Sequence, residues 1–166
     1  MPQDVFIGSG SNIGDRLAAL SIAARLLSPE VRVVKASRVY ETPPWGFKGQ
    51  PAFLNQVLQA ETELDPPALL NYLKHIENKM GRKATFHYGP RAIDLDILFY
   101  GNLIYSLDNL QIPHPMAAER AFVLVPMLEI APDFIHPVHY KTITELARAV
   151  DSSGITIYEV GTNGKA

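Results

Sequence analysis

Residues 93–99 form an apolar stretch with β-strand character that carries two carboxylates one residue apart. In a β-strand, side chains at positions i and i+2 point to the same face of the sheet. Asp94 and Asp96 therefore share one face. The opposite face is expected to form half of a hydrophobic core, from Ile93, Leu95, Ile97 and Phe99. Burial of that face fixes the register, because a slip of one residue would turn both acids into the core.

Two like charges on one strand face suggest a metal site. The two carboxylates lie roughly 7 Å apart along the strand and repel each other unless a cation lies between them. Hard divalent cations, Mg²⁺ above all, bind through one or two carboxylates plus substrate phosphates. The alternative is a solvated edge strand with two exposed acids. The preceding Gly89-Pro90-Arg91 and the strongly apolar second face favour the metal site.

The bulk properties indicate one ordinary globular domain. The chain has 166 residues, and we expect a single domain over residues 1–166. A net charge of −2 argues against a protein built to bind nucleic acid or an anionic membrane. No cysteine is present, so disulfides and thiolate catalysis are excluded. The start of the chain lacks a basic signal-peptide region and no apolar run could span a bilayer, so we expect a cytoplasmic protein.

The order of predicted elements indicates an α+β fold. A strand over residues 5–8, a helix beginning near residue 17 and a strand over 31–40 come first. A strand over 53–62, a helix that begins after Asp65 and ends at Gly81, and the acidic strand follow. This β-α-β-β-α-β order is that of a ferredoxin-like sheet with helices. A C-terminal extension would add a loop or hairpin near 102–110, a short helix over 142–150 and a strand over 155–160. No exposed apolar helix or heptad stands out, which favours a monomer.

Several polar positions have both a structural and a functional interpretation. Residues 9–15 resemble a phosphate-binding turn but lack the lysine of a Walker loop, so a structural turn with Ser11 or Asn12 as helix cap is favoured. Asn55 is an amide in an apolar strand and must find partners in the backbone or a ligand. Glu77 lies beside the apolar stripe of its helix, as a rim residue would. For His136 and His139, core or surface positions are favoured over a metal pair.

Residues 41–51 contain three prolines, two glycines and the aromatic residues Trp45 and Phe47. Such a composition excludes a helix and makes a central strand unfavourable. The segment is therefore an irregular loop, either packed on the core or serving as a mobile lid.

Basic residues surround the acidic strand in sequence: Arg82, Lys83 and His87 precede it, Arg91 opens it, and His114 and Arg120 follow it. Acids that hold cations, flanked by bases that hold anions, suit a nucleoside triphosphate with its magnesium. Phosphoryl transfer requires in-line positioning and neutralisation of charge on the moving group. From this pattern alone, none of the bases can be assigned a role.

Beyond pattern, the segment Gly89-Pro90-Arg91-x-x-Asp94-Leu95-Asp96 closely resembles the defining motif of the 6-hydroxymethyl-7,8-dihydropterin pyrophosphokinase family. Other segments in that family's order and spacing cover most of residues 5–137. They include Gly10-Ser11-Asn12-Ile13-Gly14-Asp15, Thr42-Pro43-Pro44, Gln50-Pro51-x-Phe53-Leu54-Asn55, Ile76-Glu77, Gly81-Arg82, Pro113-His114-Pro115, Glu119-Arg120-x-Phe122-Val123-Leu124-x-Pro126 and Glu129-Ile130-Ala131-Pro132.

The resemblance implies an Mg²⁺-dependent enzyme of folate biosynthesis that transfers pyrophosphate from ATP to the pterin hydroxymethyl group and releases AMP. It implies two Mg²⁺ ions on Asp94 and Asp96, with Arg82 and Arg91 as further catalytic residues. The pterin would contact Thr42, Pro44, Trp45, Phe53, Asn55 and Phe122. The ATP side would include Glu77, Arg82, Lys83, Tyr88, His114 and Arg120.

The chain departs from the family pattern just before the motif. Lys83-Ala84 and His87-Tyr88 stand where the family often has two arginines and a tryptophan. A lysine keeps a charge but lacks the bidentate fork of arginine. We therefore expect Arg82 and Arg91, more than Lys83 or His87, to contact phosphate. Two other classes of protein are alternatives: an RNA-binding sheet, which would need an aromatic strand pattern that this sequence lacks, and a phosphodiesterase that uses the same acids with water as the nucleophile.

Overall fold

The structure of the chain is a computed structural model that describes residues 1–43, 49–81 and 92–159. Within these residues the elements in chain order are β1 (Gln3–Ser11), α1 (Arg16–Leu26), β2 (Val31–Ala36), β3 (Tyr40–Thr42), β4 (Phe53–Thr62), α2 (Pro66–Lys79), β5 (Asp94–Tyr100), β6 (Tyr105–Leu107), β7 (Leu110–Ile112), α3 (Ala121–Ile130), α4 (Ile143–Arg148) and β8 (Thr156–Ile157). No helix among the described residues is both long and apolar enough to cross a membrane.

The helix ends follow local capping chemistry. The carboxylate of Asp65 accepts a hydrogen bond from the Ala68 N–H at 2.9 Å, and proline occupies the first turn of α2, as predicted. The expected cap of α1 was wrong: Asp15, not Ser11 or Asn12, accepts the Ala18 N–H at 3.1 Å. Ser11 is still part of β1, which runs three residues beyond the predicted strand end.

A six-stranded antiparallel sheet forms the centre of the protein, in the order β5-β1-β4-β3-β8, with β2 also paired to β4. The predicted strand over 31–40 is two strands, because Ser37 interrupts it and bonds to Val57 through both its amide and its hydroxyl. The predicted final strand is shorter than expected and consists of Thr156–Ile157 alone. The α+β class is confirmed. The four-strand ferredoxin-like topology stays a prediction, since this sheet has a divided second strand and an added β8.

Each face of the sheet carries its own hydrophobic cluster. The first cluster lies under α1 and α2 and contains Val5, Ile7, Leu20, Leu54, Leu69, Leu73, Leu95 and Ile97. The second lies under α3 and α4 and contains Phe6, Val57, Leu98, Phe99, Val123, Leu124, Met127 and Ile143. The sheet is therefore the middle layer of the fold.

A β-bulge divides the acidic strand into two halves. Phe6 pairs with Phe99 but Ile7 pairs with Ile97, so Leu98 is an extra residue on β5. The prediction that Ile93, Leu95, Ile97 and Phe99 share one face is wrong for Phe99, which packs in the second cluster. The prediction holds for the half of the strand that bears the acids, where Leu95 and Ile97 are buried and Asp94 and Asp96 are half-buried.

The packing of α3 gives a stability prediction with a matched control on the same helix. Leu124 is fully buried in the second cluster, whereas Leu128, one turn later, is 37% exposed. We expect Leu124→Ala to lower the free energy of unfolding by about 2–5 kcal/mol. Leu128→Ala should change it by less than about 0.5 kcal/mol. Urea unfolding followed by circular dichroism measures both values, and equal losses in the two variants would contradict this packing.

Candidate active site

A cavity of about 230 Å³ opens on the sheet face that carries α3. It lies between the acidic half of β5, the start of β4 and the start of α3. The residues that line it are Gly8, Ser9, Gly10, Thr42, Pro43, Phe53, Asn55, Gln56, Val57, Asp94, Asp96, Leu98, His114, Arg120, Phe122 and Val123. Of the sequence-predicted residues, this cavity brings together Asp94, Asp96, Thr42, Phe53, Asn55, Phe122, His114 and Arg120.

The amide of Asn55 is fixed by its neighbours in the sheet. Its Nδ2 donates a hydrogen bond of 2.8 Å to the Thr42 hydroxyl, from the adjacent strand β3. The Oδ1 is closely packed against Gly10, where an added Cβ would lie only 2.8 Å away. Asn55 is 8% exposed, so the polar group sits at the bottom of the cavity with a defined orientation.

A second cavity, of about 500 Å³, lies on the other side of the acids. Its walls come from α2, β5, the β6–β7 hairpin and the segment after it, and include Lys74, Glu77, Ser106, Asp108, Asn109, Gln111 and Pro115. Asp94, Asp96 and His114 line both cavities. The two carboxylates therefore stand where the two spaces meet.

Glu77 and His114 reach this junction through the outer edge of β5. The Glu77 carboxylate accepts the Leu95 N–H at 2.7 Å, and the His114 N–H donates to the Leu98 carbonyl at 2.9 Å. Glu77 is only 3% exposed, so its interpretation as a rim residue was wrong. Because an edge strand must satisfy its outward backbone groups, these contacts serve the fold and place both side chains beside the acids.

His114 is a neutral hydrogen-bond donor at neutral pH. Its Nδ1 accepts the Met116 N–H at 3.1 Å, which leaves the proton on Nε2. Burial of the ring and, second, the nearby Arg120 cation lower its pKa to about 4, while Asp94 acts in the opposite direction. The guanidinium of Arg120 lies 5.3 Å from the ring centroid of Phe122, within the range of a cation–π contact.

Several predicted residues lie outside the described part of the chain. These are Pro44, Trp45, Phe47, Arg82, Lys83, His87, Tyr88 and Arg91. The choice between a packed loop and a lid, and the roles of the basic residues before the acidic strand, therefore stay predictions.

Two sets of lining residues were missed from the sequence. Gly8 and Gly10 lie two apart on β1 and line the first cavity without side chains of their own; this i, i+2 spacing was a usable signal. Lys74 lies one helical turn before Glu77, and both residues line the second cavity. Their i, i+3 spacing predicts that they share one face of α2, so this signal was also present in the sequence. Gln111 lines the second cavity from strand β7 of the hairpin, and no pattern in the sequence indicated that position.

Other polar residues have structural roles. Asn12 is buried and its Nδ2 donates to Gln50 Oε1 at 2.7 Å and to the Pro51 carbonyl at 3.1 Å, which supports the structural interpretation of residues 9–15. His136 is buried, accepts two backbone N–H groups, and has its pKa lowered to about 4 by burial and then by His139. Among the described residues, no group of three or more His, Cys, Asp or Glu side chains could form a metal cage.

Comparisons with known proteins identify the family of the chain. Residues 6–132 match the family described as 7,8-dihydro-6-hydroxymethylpterin-pyrophosphokinase (HPPK). The chain is 43% identical over 141 residues to the 2-amino-4-hydroxy-6-hydroxymethyldihydropteridine pyrophosphokinase of Aquifex aeolicus, covering 85% of this chain and 88% of that one. It is 44% identical over 152 residues to the protein of the same name from Methylorubrum extorquens, covering 90% and 95%.

Longer proteins are also similar. The Dictyostelium discoideum folic acid synthesis protein FOL1 is 39% identical over 150 residues, which is 90% of this chain but 23% of that protein. The structure of Plasmodium falciparum HPPK-DHPS with pteroate gives a TM-score of 0.72 at 16% identity, covering 89% of this chain and 42% of that one. At that identity the structural likeness concerns the fold alone.

The family match and the two bacterial relatives make this chain a pyrophosphokinase. It belongs to the 7,8-dihydro-6-hydroxymethylpterin-pyrophosphokinase family, whose reaction in folate biosynthesis is transfer of pyrophosphate from ATP to hydroxymethyldihydropterin.

The environment of His114 gives a prediction about its titration. We expect its imidazole to titrate near pH 4 rather than 6.5, because burial and Arg120 oppose its protonation. Between these values the unfolded chain binds a proton that the folded chain does not, so the free energy of unfolding falls as the pH falls through this window. The ring resonances in a nitrogen-detected NMR titration measure the midpoint, with His114→Gln used for assignment. A midpoint near 6.5 would overturn this description.

Proposed function

We propose that Asp94 and Asp96 hold Mg²⁺ at the junction of a pterin site and an ATP site, so that pyrophosphate is transferred across it. The observation that carries the proposal is that both carboxylates line both cavities. A ligand in either space would be in reach of the same two acids. The proposal takes the chain as one domain that acts as a monomer in the cytoplasm, as expected from the sequence.

The donor set fits magnesium. Two half-buried carboxylates line both cavities, and the described residues form no complete metal cage. Mg²⁺ typically takes one or two carboxylates and completes its octahedron with phosphate oxygens and waters. Two ions held by Asp94 and Asp96 would suit the resemblance. Bound Mg²⁺ would supply Lewis-acid stabilisation of charge on the transferred group.

The two cavities differ in size and in chemistry, and this difference supports the assignment of the substrates. The smaller cavity has aromatic walls, Phe53 and Phe122, and the oriented amide of Asn55, which suit a flat, polar bicycle such as the pterin. The larger cavity is lined mainly by polar groups, among them Lys74 and Gln111, and suits the nucleotide. Thr42 would orient the Asn55 amide toward the pterin edge.

The chemistry follows from this placement. The hydroxymethyl oxygen of the pterin would attack the β-phosphorus of ATP, the bond from that phosphorus to the oxygen that bridges the α- and β-phosphates would break, and the hydroxyl proton would pass to water. AMP leaves, because pyrophosphate is the β,γ part of ATP. His114 would donate its Nε2–H to a phosphate oxygen without adding a charge, and Arg120 would neutralise charge on the same side. Arg82 and Arg91, with Lys83 and Tyr88, are proposed phosphate and nucleotide contacts, and Pro44 and Trp45 pterin contacts, from the family resemblance.

The acid pair can be tested directly. We expect Asp96→Ala and Asp94→Ala each to lower kcat by about a hundredfold or more, because each removes a ligand of the charge-stabilising cation. The assay supplies ATP, Mg²⁺ and reduced hydroxymethylpterin and follows pyrophosphorylated pterin and AMP together. Asp133→Ala, at an exposed position on another segment, serves as the control. Both acid variants should keep the wild-type Tm, since removal of one acid relieves repulsion.

Three results would contradict the proposal. Formation of ADP in place of AMP would show transfer of one phosphoryl group. AMP without pterin would indicate hydrolysis, as a phosphodiesterase would give. Collapse of the fold in Asp96→Ala would show that this carboxylate has a structural role instead.

The pterin site can be tested separately. We expect Asn55→Ala to raise KM for the pterin about tenfold and to leave KM for ATP within about twofold, because it removes hydrogen bonds to one substrate only. Phe122→Ala should act in the same direction through lost ring contact. Leu128→Ala, exposed on the same helix as Phe122, is the control. Equal effects on both substrates would contradict the assignment of the two cavities.

A further inference from the structure

Strand β3 carries Thr42 to the first cavity, yet it is only three residues long. It pairs with β4 on one side and with β8 on the other, where Tyr40 is opposite Ile157 and Glu41 is opposite Thr156. The Tyr158 N–H extends this edge with a 2.8 Å hydrogen bond to the Val39 carbonyl. The last strand of the sheet therefore supports the wall of the cavity.

Arg16 joins the same elements from the first helix. Its Nη1 lies 2.8 Å from Glu41 Oε2, on β3, and 3.0 Å from the Ala52 carbonyl, directly before β4. Its Cζ lies 5.6 Å from the centroid of the Tyr158 ring. One guanidinium thus contacts the two strands that bring Thr42 and Phe53 to the cavity, and the segment that follows β8.

The position of Arg16 is not explained by helix stability. It is the first residue of α1, where a cation opposes the helix dipole. A guanidinium offers several donors in a plane and stacks on an aromatic ring, and an ammonium group cannot reproduce both. The side chain therefore fits a bridging role between a carboxylate, a carbonyl and a ring.

A close contact links the C-terminal segment to the cavity a second time. A Cβ added at Gly154 would lie 3.2 Å from Pro43 Cγ and 3.4 Å from Pro43 Cδ. Since Pro43 lines the cavity and follows Thr42, an added methyl group would press on this wall from behind. No side chain larger than hydrogen fits there without a shift of Pro43.

We propose that Arg16, Gly154 and Tyr158 are positioning residues that hold Thr42 and Pro43 in place against Phe53 and Asn55, and so set the affinity for the pterin. Gly154 and Tyr158 lie beyond residues 6–132, so the family match assigns them no role. This inference rests on the proposed placement of the pterin in the first cavity. It adds a second layer of residues, none of which lines that cavity, to the substrate site.

The test compares variants of the full chain by steady-state kinetics and by calorimetric binding of the pterin. We expect Arg16→Ala and Gly154→Ala each to raise KM for the pterin about fivefold, with kcat and KM for ATP changed less than about twofold. Arg16→Lys should give a smaller rise, because it restores the charge but not the bridge. The double variant Arg16→Ala, Glu41→Ala should raise KM for the pterin little more than Arg16→Ala alone, because both changes remove the same ion pair.

Two matched controls separate positioning from stability. Arg32 forms an ion pair with Glu61 on the same sheet, away from the cavity, so Arg32→Ala should leave both KM values unchanged. Ser152→Ala, at an exposed position in the same segment as Gly154, should also leave KM for the pterin and KM for ATP unchanged. A role in stability alone would lower Tm in Arg16→Ala and leave KM for the pterin at the wild-type value.

The outcomes also separate this inference from the proposed function. If Asn55→Ala raises KM for the pterin but Arg16→Ala and Gly154→Ala do not, the positioning role is wrong and the pterin site stands. If Asn55→Ala leaves that KM unchanged, the placement of the pterin fails, and the positioning role fails with it.

Discussion

The outer edge of β5 is the constraint on which the site depends. An edge strand exposes backbone groups that must be satisfied, and here the Glu77 carboxylate and the His114 amide bond to Leu95 and Leu98. Both partners come from distant parts of the chain, one from α2 and one from the turn after β7. Those contacts also bring the side chains of Glu77 and His114 beside Asp94 and Asp96. The same hydrogen bonds therefore satisfy the sheet edge and position residues of the site.

The bulge at Leu98 explains how a single short strand serves two purposes. Before it, Leu95 and Ile97 pack under α1 and α2 while the acids face the cavities. After it, Phe99 packs under α3 and α4. A regular strand would have turned Phe99 to the first cluster and left the second cluster without its central aromatic residue, which contacts Phe6 and Phe134.

Much of the fold could be predicted from local chemistry, and the failures have physical causes. The start of α2 at Asp65 followed by proline and the strand over 53–62 depend on neighbours in sequence, and both predictions were correct. The bulge depends on how β5 meets β1, and the break at Ser37 depends on its bonds to Val57, so neither leaves a local pattern. At the site, the acids and Asn55 were found from residue type in an apolar strand. Glu77 was misplaced because its partner, the Leu95 amide, becomes available only in the folded sheet.

The pairing of β3 with β8 has a consequence for synthesis of the protein. The two strands are separated by more than a hundred residues, so this contact forms only after residues 156–157 have been made. A nascent chain that ends before β8 can already pair β1, β4 and β5 and bring the acids to one face. It lacks the outer support of β3, so the wall of the first cavity that bears Thr42 is completed only after β8 has been made. The order of synthesis thereby places the acids of β5 before the support of the opposite wall.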